Sequence, residues 1–480
     1  MEKKIQLLIW LINLSVFLLF YMPDFLRDGM FGDGLLYATL ANNLAHGIGT
    51  FWSPQVFSGA PGFHGHPPLV FGIQSVFFRV LGDGMWVERL YSFLAAVVTA
   101  YLIISIWRYI FRGTPYQALS WFSLFLWLIH EDVFISFRNN LLECTLGIFI
   151  LAAVRLWLPV LQEEKISYLE HMSHLVTGGL LIGMAFLSKG PPGLFPLIFF
   201  LLAWITFKNF SLKKTVACSA FIWLAFLLFL VFVLLPEDAR QSMRQYWQTQ
   251  ILPSFGEPNA SLGNIRSWHG HILNRWLIKM IPILAITILV LSLIHLKKFR
   301  LGILDSYQKY FWFFLLLGLA GTLPFTLTLK QASYYLIPAV PFFTIAIGIA
   351  LARGLQQLIA AINTERKVFK SILIFSWILL SSILVFNLFQ IGKTDWKHKD
   401  LLNDIHRVGK EIPKGSHMKF SEVDGIVPLY FSRYYYIIPD GEESVSPFML
   451  VKKTERKSEV PGFKQVDFPL KIFFLLERQD

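Results

Sequence analysis

Long apolar runs punctuated by short polar clusters dominate the chain. Segments long enough to cross a bilayer fall at roughly 6 to 22, 86 to 107, 116 to 130, 140 to 158, 173 to 189, 192 to 207, 215 to 235, 276 to 296, 310 to 329, 334 to 353 and 369 to 391. A helix in lipid satisfies its backbone internally, so the pattern predicts an all-α polytopic membrane protein of about eleven or more transmembrane helices. The opening run, LLIWLINLSVFLLFYM after MEKKIQ, lacks a small-residue cleavage site and is expected to stay as the first span. Three stretches break the pattern. One loop, about 23 to 85, contains DGLLYATLANNLAHGIG, whose apolar spacing suits a juxtamembrane helix lying along the membrane surface. A second, about 236 to 275, is polar and contains SWHGH. From about 393 the helical spacing gives way to short β-rich runs such as FMLVKK and KIFFLLER. The expected organisation is a transmembrane module over residues 1–392 followed by a small external α/β domain over 393–480.

Charge orients these segments. Lys3 and Lys4, Arg108 and Arg112, Lys208 with Lys213 and Lys214, Lys297 with Lys298 and Arg300, and Arg366 with Lys367 and Lys370 all fall between spans on one side. By the positive-inside rule that side is the cytoplasm, which places the N-terminus inside and the C-terminal domain outside. The net charge of +12 is therefore topological; no dense basic tract or nucleic-acid motif accompanies it, and no nucleic-acid partner is expected. Cys144 and Cys218 both lie in apolar runs and read as inert core thiols.

Ionisable groups at membrane depth are costly, so their placement is informative. Asp33 follows the first span; His64 and His66, in HGHPPL, precede the second; Glu131 and Asp132 end the third; Glu143, in RNNLLE, opens the fourth. Lys189, in LSKGPPG, ends the fifth, His269 and His271 precede the eighth, and Lys330, in TLKQASYYLIP, ends the ninth. All fall on the external side, where the positive-inside rule would not put Lys189 and Lys330. Each has a plain alternative. Asp33 could be a helix N-cap, a lone Lys or Glu at a span end is usually an interfacial anchor, Glu131 and Asp132 read as loop carboxylates, and GPPG is a turn in any context. Agreement of so many on one side points instead to a site for an anionic, membrane-borne substrate.

Taken in order, DGLLYATLANNLAHGIGTFWSP, HPPL, RNNLLE, LSKGPPGL and KQASYYLIPAVP resemble the GT-C-type glycosyltransferases, the lipid-linked sugar transferases that include protein O-mannosyltransferases and aminoarabinose transferases. The resemblance runs from about residue 1 to 350 and implies the GT-C fold. It also implies a catalytic carboxylate at Asp33 with Tyr37 beside it, a second acidic residue at Glu143, and donor-phosphate contacts from His66, Lys189, Lys330 and Tyr334 or Tyr335. His269 corresponds to a histidine of the second long loop. The chain has Asp33–Gly34 where protein mannosyltransferases commonly have Asp-Glu, and Gly65–His66 where aminoarabinose transferases have Glu-Lys. The first difference argues against a protein acceptor. The second makes a divalent-metal site through His64, His66, His269 and His271 conceivable, although the chemistry requires no cofactor.

The implied partners are membrane lipids, a polyprenyl-phosphate-linked sugar donor, and a lipid, glycan or protein acceptor. The expected reaction is transfer of a hexose or pentose at the external face of a bacterial inner membrane, with inversion. Asp33 would accept the acceptor's proton, while Lys189, Lys330 and a protonated His66 offset charge on the departing phosphate. Two flanking glycines would leave room for substrate to approach the backbone. The alternative is a transporter or flippase that binds lipid-linked sugar phosphates without chemistry.

Overall fold

The computed structural model describes residues 2–161, 167–208, 210–255, 271–300, 302–441, 446–453 and 460–479. Among them, eight single helices are long and apolar enough to cross a membrane: Lys3–Phe20, Met85–Ile110, Leu142–Leu161, Tyr168–Lys189, Leu212–Val233, Asp305–Leu327, Ser333–Ala360 and Lys367–Leu388. Two bent pairs bring the number to ten: Pro115–Leu128 with Glu131–Arg138, turned by 77°, and His271–Lys279 with Ile281–Leu296, turned by 49°. The segment expected at 192 to 207 is a shorter apolar helix, Pro191–Thr206, whose first part is drawn into 3₁₀ turns by Pro191, Pro192 and Pro196. Cys144 and Cys218 are buried free thiols.

Burial separates the spans by role. Leu142–Leu161 and Ser333–Ala360 are mostly buried and form the centre of the bundle, whereas Leu212–Val233 and Lys367–Leu388 turn most of their side chains outward, as lipid-facing helices do. Lys4 meets Glu365 at 2.5 Å at one end of the bundle. Asp33 and the C-terminal domain lie at the other, which is referred to here as the Asp33 end.

The helix Gly32–Ala45 differs from the surface helix expected of its sequence. Ten of its fourteen residues are buried. Tyr37, Ala38, Leu40 and Ala41 join the core of the bundle, while Leu35, with Met30 just before the helix, joins the core of the C-terminal domain. An apolar stripe on each side looks from sequence like an interfacial helix; here it is sandwiched between two protein layers.

The C-terminal domain is a mixed sheet with two helices. A two-residue hairpin in the first loop supplies β1 (Gly49–Thr50) and β2 (Ser53–Pro54). The domain supplies β3 (His417–Ser421), β4 (Ile438–Asp440), β5 (Phe448–Lys452), β6 (Phe463–Gln465) and β7 (Phe473–Arg478), in spatial order β4-β3-β5-β7-β6. β3 runs parallel to β4 and β5, and β7 antiparallel to β5 and β6. The helices Lys399–Glu411 and Ile426–Tyr435 pack Leu402, Ile405, Val408, Val427 and Phe431 against Met418, Leu450 and Leu475 of the sheet.

A buried ion pair fixes the domain to the bundle. Arg433 and Glu88 are each 0 % exposed, with Arg433 Nη2 donating to Glu88 Oε2 at 2.7 Å and to the Asp83 carbonyl at 3.1 Å. The Tyr434 hydroxyl donates to the other Glu88 oxygen at 3.0 Å, and the Arg433 guanidinium lies over the rings of Phe78 and Tyr434. A second tie runs through Asp28, which meets His406 Nε2 at 2.5 Å. The Met30 amide donates to the Tyr430 hydroxyl at 3.1 Å. The second tie holds the segment leading into Asp33.

Candidate active site

Asp33 stands in the first turn of Gly32–Ala45, where a carboxylate favours the positive end of the helix. It is not the N-cap: that position is Phe31, whose amide donates to Asn139 Oδ1 at 2.8 Å. The carboxylate is half-buried, and its Oδ2 accepts from the Tyr334 hydroxyl at 3.2 Å.

The glycines beside it do different things. A Cβ on Gly32 would meet nothing within 4 Å, but one on Gly34 would lie 1.8 Å from the Asn139 carbonyl oxygen. Gly34 is thus required by close approach of the chain's own backbone, not of substrate. The carbonyl belongs to RNNLLE. There Asn140 takes a left-handed conformation, φ 55°, which asparagine tolerates better than most residues, and exchanges amide hydrogen bonds with Gln74 at 3.1 and 3.0 Å. Arg138 pairs with Asp24 at 2.9 Å. The motif therefore docks the Asp33 helix and starts the helix that carries Glu143.

Glu143, 1 % exposed, forms an ion pair with Lys189, 6 % exposed. Through this pair Glu143 holds Lys189 in place. Its other oxygen, Oε2, has no hydrogen-bond partner among the described residues. The Lys189 ammonium also lies 4.5 Å from the centre of the Tyr335 ring and 5.6 Å from that of Tyr334. The GPPG turn is specific in structure. Gly190 adopts φ 87°, and a Cβ there would strike the Tyr246 hydroxyl at 2.2 Å. That hydroxyl donates to the Lys189 carbonyl at 2.9 Å.

Lys330 reaches the same region from between two spans, and its ammonium donates to Gln250 Oε1 at 3.0 Å. Burial, and then the nearby Lys189 charge, lower its pKa from the ordinary lysine value, with Asp33 opposing the shift. His66 is held well below its usual pKa by burial and by Lys189 and Lys330. Both effects disfavour the protonated imidazole expected from sequence. Its ring meets Tyr37 edge-on, with centroids 5.8 Å apart. Burial, reinforced by Asp33 and Glu143, raises the Tyr37 hydroxyl well above its ordinary value and keeps it neutral.

The other sequence candidates scatter. His64 Nδ1 is 2.9 Å from Ser242 Oγ. His271 begins the helix His271–Lys279 and its Nε2 has no hydrogen-bond partner among the described residues, while His269 lies outside them. No three potential metal ligands converge among the described residues. Glu131 and Asp132 are not loop carboxylates: they open the helix Glu131–Arg138, Glu131 pairs with Lys279 and Asp132 is buried.

A cavity of about 710 Å³ adjoins the cluster. His66, Lys189, Lys330, Tyr246, Gln250 and Tyr335 form most of its polar lining, with Ser254, Thr326 and Thr328, and the remaining wall is mainly proline, leucine, isoleucine and phenylalanine from residues 191–198, 251–255 and 319–327. Tyr246 and Gln250 escaped sequence reasoning. They lie in EDARQSMRQYWQTQ, which reads as a plain polar helix, and Gln250 is presented by a π-turn, Trp247–Ile251, that periodicity does not reveal.

A bundle of membrane-spanning helices, with a carboxylate and two lysines gathered beside a largely apolar cavity beneath a small α/β domain, defines the class. Residues 65–235 match the family model described as dolichyl-phosphate-mannose-protein mannosyltransferase. The fold is similar to two crystal structures of ArnT from Cupriavidus metallidurans. The one bound to undecaprenyl phosphate gives a TM-score of 0.61 at 13% identity, and the apo form 0.64 at 12%, each over 98% of this chain and 96% of that one. No curated protein matches the chain in sequence. Family model and fold point to the superfamily that the motifs resemble, the GT-C-type glycosyltransferases.

Proposed function

We propose that this protein is an integral-membrane glycosyltransferase that moves a hexose or pentose from a polyprenyl-phosphate donor to a lipid, glycan or protein acceptor at the external face. The observation that carries the reading is the polar end of the 710 Å³ cavity, where Lys189 and Lys330 stand beside apolar walls, with Asp33 tied to the same group through Tyr334. Such a cavity suits an isoprenoid phosphate, apolar along its length and anionic at one end. The undecaprenyl phosphate in one of the structurally similar ArnT crystals supports a donor of this class.

In the proposed reaction the acceptor hydroxyl or amine attacks the anomeric carbon as the bond from that carbon to the phosphate oxygen breaks. The proton passes to Asp33, and the polyprenyl phosphate leaves with the electron pair. A single displacement inverts the anomeric centre. Tyr334 occupies one Asp33 oxygen and leaves the other for the acceptor. Lys330, whose described partner is a neutral amide, is the cation most available to the phosphate. Lys189 already shares its charge with Glu143.

The test is single-turnover transfer from radiolabelled polyprenyl-phosphate sugars into membrane extract. Asp33→Asn is expected to slow transfer by roughly 10²–10⁴-fold at unchanged expression and thermal stability. Wild-type turnover by that variant removes Asp33 as the base. Label that stays on the donor in both proteins, across several sugars, would favour binding without chemistry.

A further inference from the structure

The geometry points to a second site at the Asp33 end, on the C-terminal domain, for the phosphate-bearing headgroup of a membrane lipid. A cavity of about 440 Å³ is lined by Trp396, Lys397, His398, Lys399 and Lys452, together with Asp400, Asp424 and several apolar neighbours. The span Lys367–Leu388 ends just before it, Leu388, Phe389 and Ile391 are exposed apolar side chains, and Trp396 is 74 % exposed. Acyl chains would lie along that apolar face and the headgroup would enter the cavity above it.

The positive-inside pattern does not account for its charges. Basic residues that set topology gather at the opposite end of the bundle, where Lys4, Glu365 and Lys370 meet. At the Asp33 end, Lys397, Lys399 and Lys452 make no ion pair among the described residues. Asp400 is taken by Lys471 at 2.8 Å, which leaves Lys397, Lys399 and Lys452 against Asp424 and the cavity net basic. Clustered lysines at a lipid surface attract anionic headgroups, and each adds to the effect.

The cavity is joined to the proposed catalytic loop. Asp28 and Thr394 form a parallel β-bridge, in which the Asp28 amide donates to the Lys393 carbonyl and the Asp395 amide to the Asp28 carbonyl, both at 2.8 Å. A lipid held at Trp396 therefore sits beside the segment that leads into Asp33. Two sources share the chemistry: bulk anionic phospholipid and a phosphorylated lipid acceptor. Assignment to the acceptor rests on the proposed transferase function; the site itself does not.

Native mass spectrometry of the full-length protein in detergent tests the site, with phosphatidylglycerol, phosphatidylcholine and inorganic phosphate as probes. Wild type is expected to retain one more phosphatidylglycerol than the triple variant Lys397→Gln, Lys399→Gln, Lys452→Gln, with affinity for that lipid falling by about tenfold or more. Arginine at the three positions should keep the lipid, and Lys213→Gln with Lys214→Gln, at the other end, should leave this one in place. Phosphatidylcholine should not substitute. Displacement of the lipid by millimolar inorganic phosphate would identify the phosphate group as sufficient, and its persistence would show that the acyl chains contribute. Equal retention by wild type and glutamine variant, or loss in the arginine variant as large as in the glutamine one, overturns the site. In a transfer assay with a phosphorylated lipid acceptor, a raised acceptor KM in the glutamine variant identifies the occupant as acceptor. An unchanged KM alongside lost lipid binding identifies it as bulk phospholipid. Absence of transfer in the wild type would count against the enzymatic reading alone and leave the lipid-binding result standing.

Discussion

Two buried acid–base pairs lie at the Asp33 end, and their surroundings differ. Glu88 and Arg433 join the C-terminal domain to the bundle. Both Glu88 oxygens accept hydrogen bonds, and Arg433, although its Nε and Nη1 find no partner among the described residues, is packed over two aromatic rings. Of the other pair, Lys189 lines a cavity and faces the rings of Tyr334 and Tyr335, and one oxygen of Glu143 has no described partner. Desolvating two charges is expensive, and the cost is recovered only when geometry and additional hydrogen bonds are good. The enclosed carboxylate commits both oxygens to adhesion. The carboxylate behind Lys189 keeps one in reserve, as a site that must bind and release a charged ligand requires.

The contrast can be broken most severely at the enclosed pair. Arg433→Met should destabilise the protein by about 3–5 kcal/mol, because it strands a carboxylate in a dry interface. Thermal unfolding of the purified protein measures this, and limited proteolysis should show earlier cleavage of the C-terminal domain. If stability hardly changes, Glu88 reaches water and the pair is not sealed.

Next in size is Gly34→Ala. Its Cβ would collide with the Asn139 carbonyl, so a loss of roughly 1–3 kcal/mol is expected together with reduced transfer, since the helix carrying Asp33 must move. Gly32→Ala, with open space at its Cβ, should change stability far less. Equal effects at the two glycines would show that backbone freedom, not close approach, is what matters.

Glu143→Gln sharpens the comparison from the other side. Removing the acid that shares the Lys189 charge should tighten binding of the polyprenyl-phosphate product by roughly tenfold, about 1.4 kcal/mol, with a smaller stability loss than Arg433→Met. A weaker product complex, read by titration calorimetry, would show that Glu143 is needed to position Lys189 and not merely to balance it.

The smallest effect is on pH. Lys330 has a pKa lowered by burial and by Lys189, so the empty protein loses that cation as pH rises, earlier than an ordinary lysine would. Donor affinity should therefore fall with increasing alkalinity below the usual lysine range. Lys330→Arg should flatten the dependence, because arginine stays protonated throughout. An identical slope in the variant would assign the titration to another group.

Much of this was legible in the chain. Membrane-length apolar runs must become helices because lipid offers the backbone no other partner, so the spans followed from composition. Asp33, Glu143, Lys189 and Lys330 stood out because charge is rare in such runs, and the fold does bring them together. Gln250 and Tyr246 gave no comparable signal, because polar residues in a polar loop are ordinary. The same is true of Arg433 and Tyr434 in a domain full of charges and aromatics.

What the sequence determined alone is therefore the membrane character, most of the helices and the identity of the costly residues, all set by each segment's own free energy of transfer. Partnership was decided only in three dimensions. That Gly34 yields to the Asn139 carbonyl, that Glu143 takes Lys189 while Lys330 takes Gln250, and that Gly32–Ala45 is covered on both sides depend on which distant segments meet. Contacts between residues far apart in the chain leave no local period or composition by which one sequence can announce them.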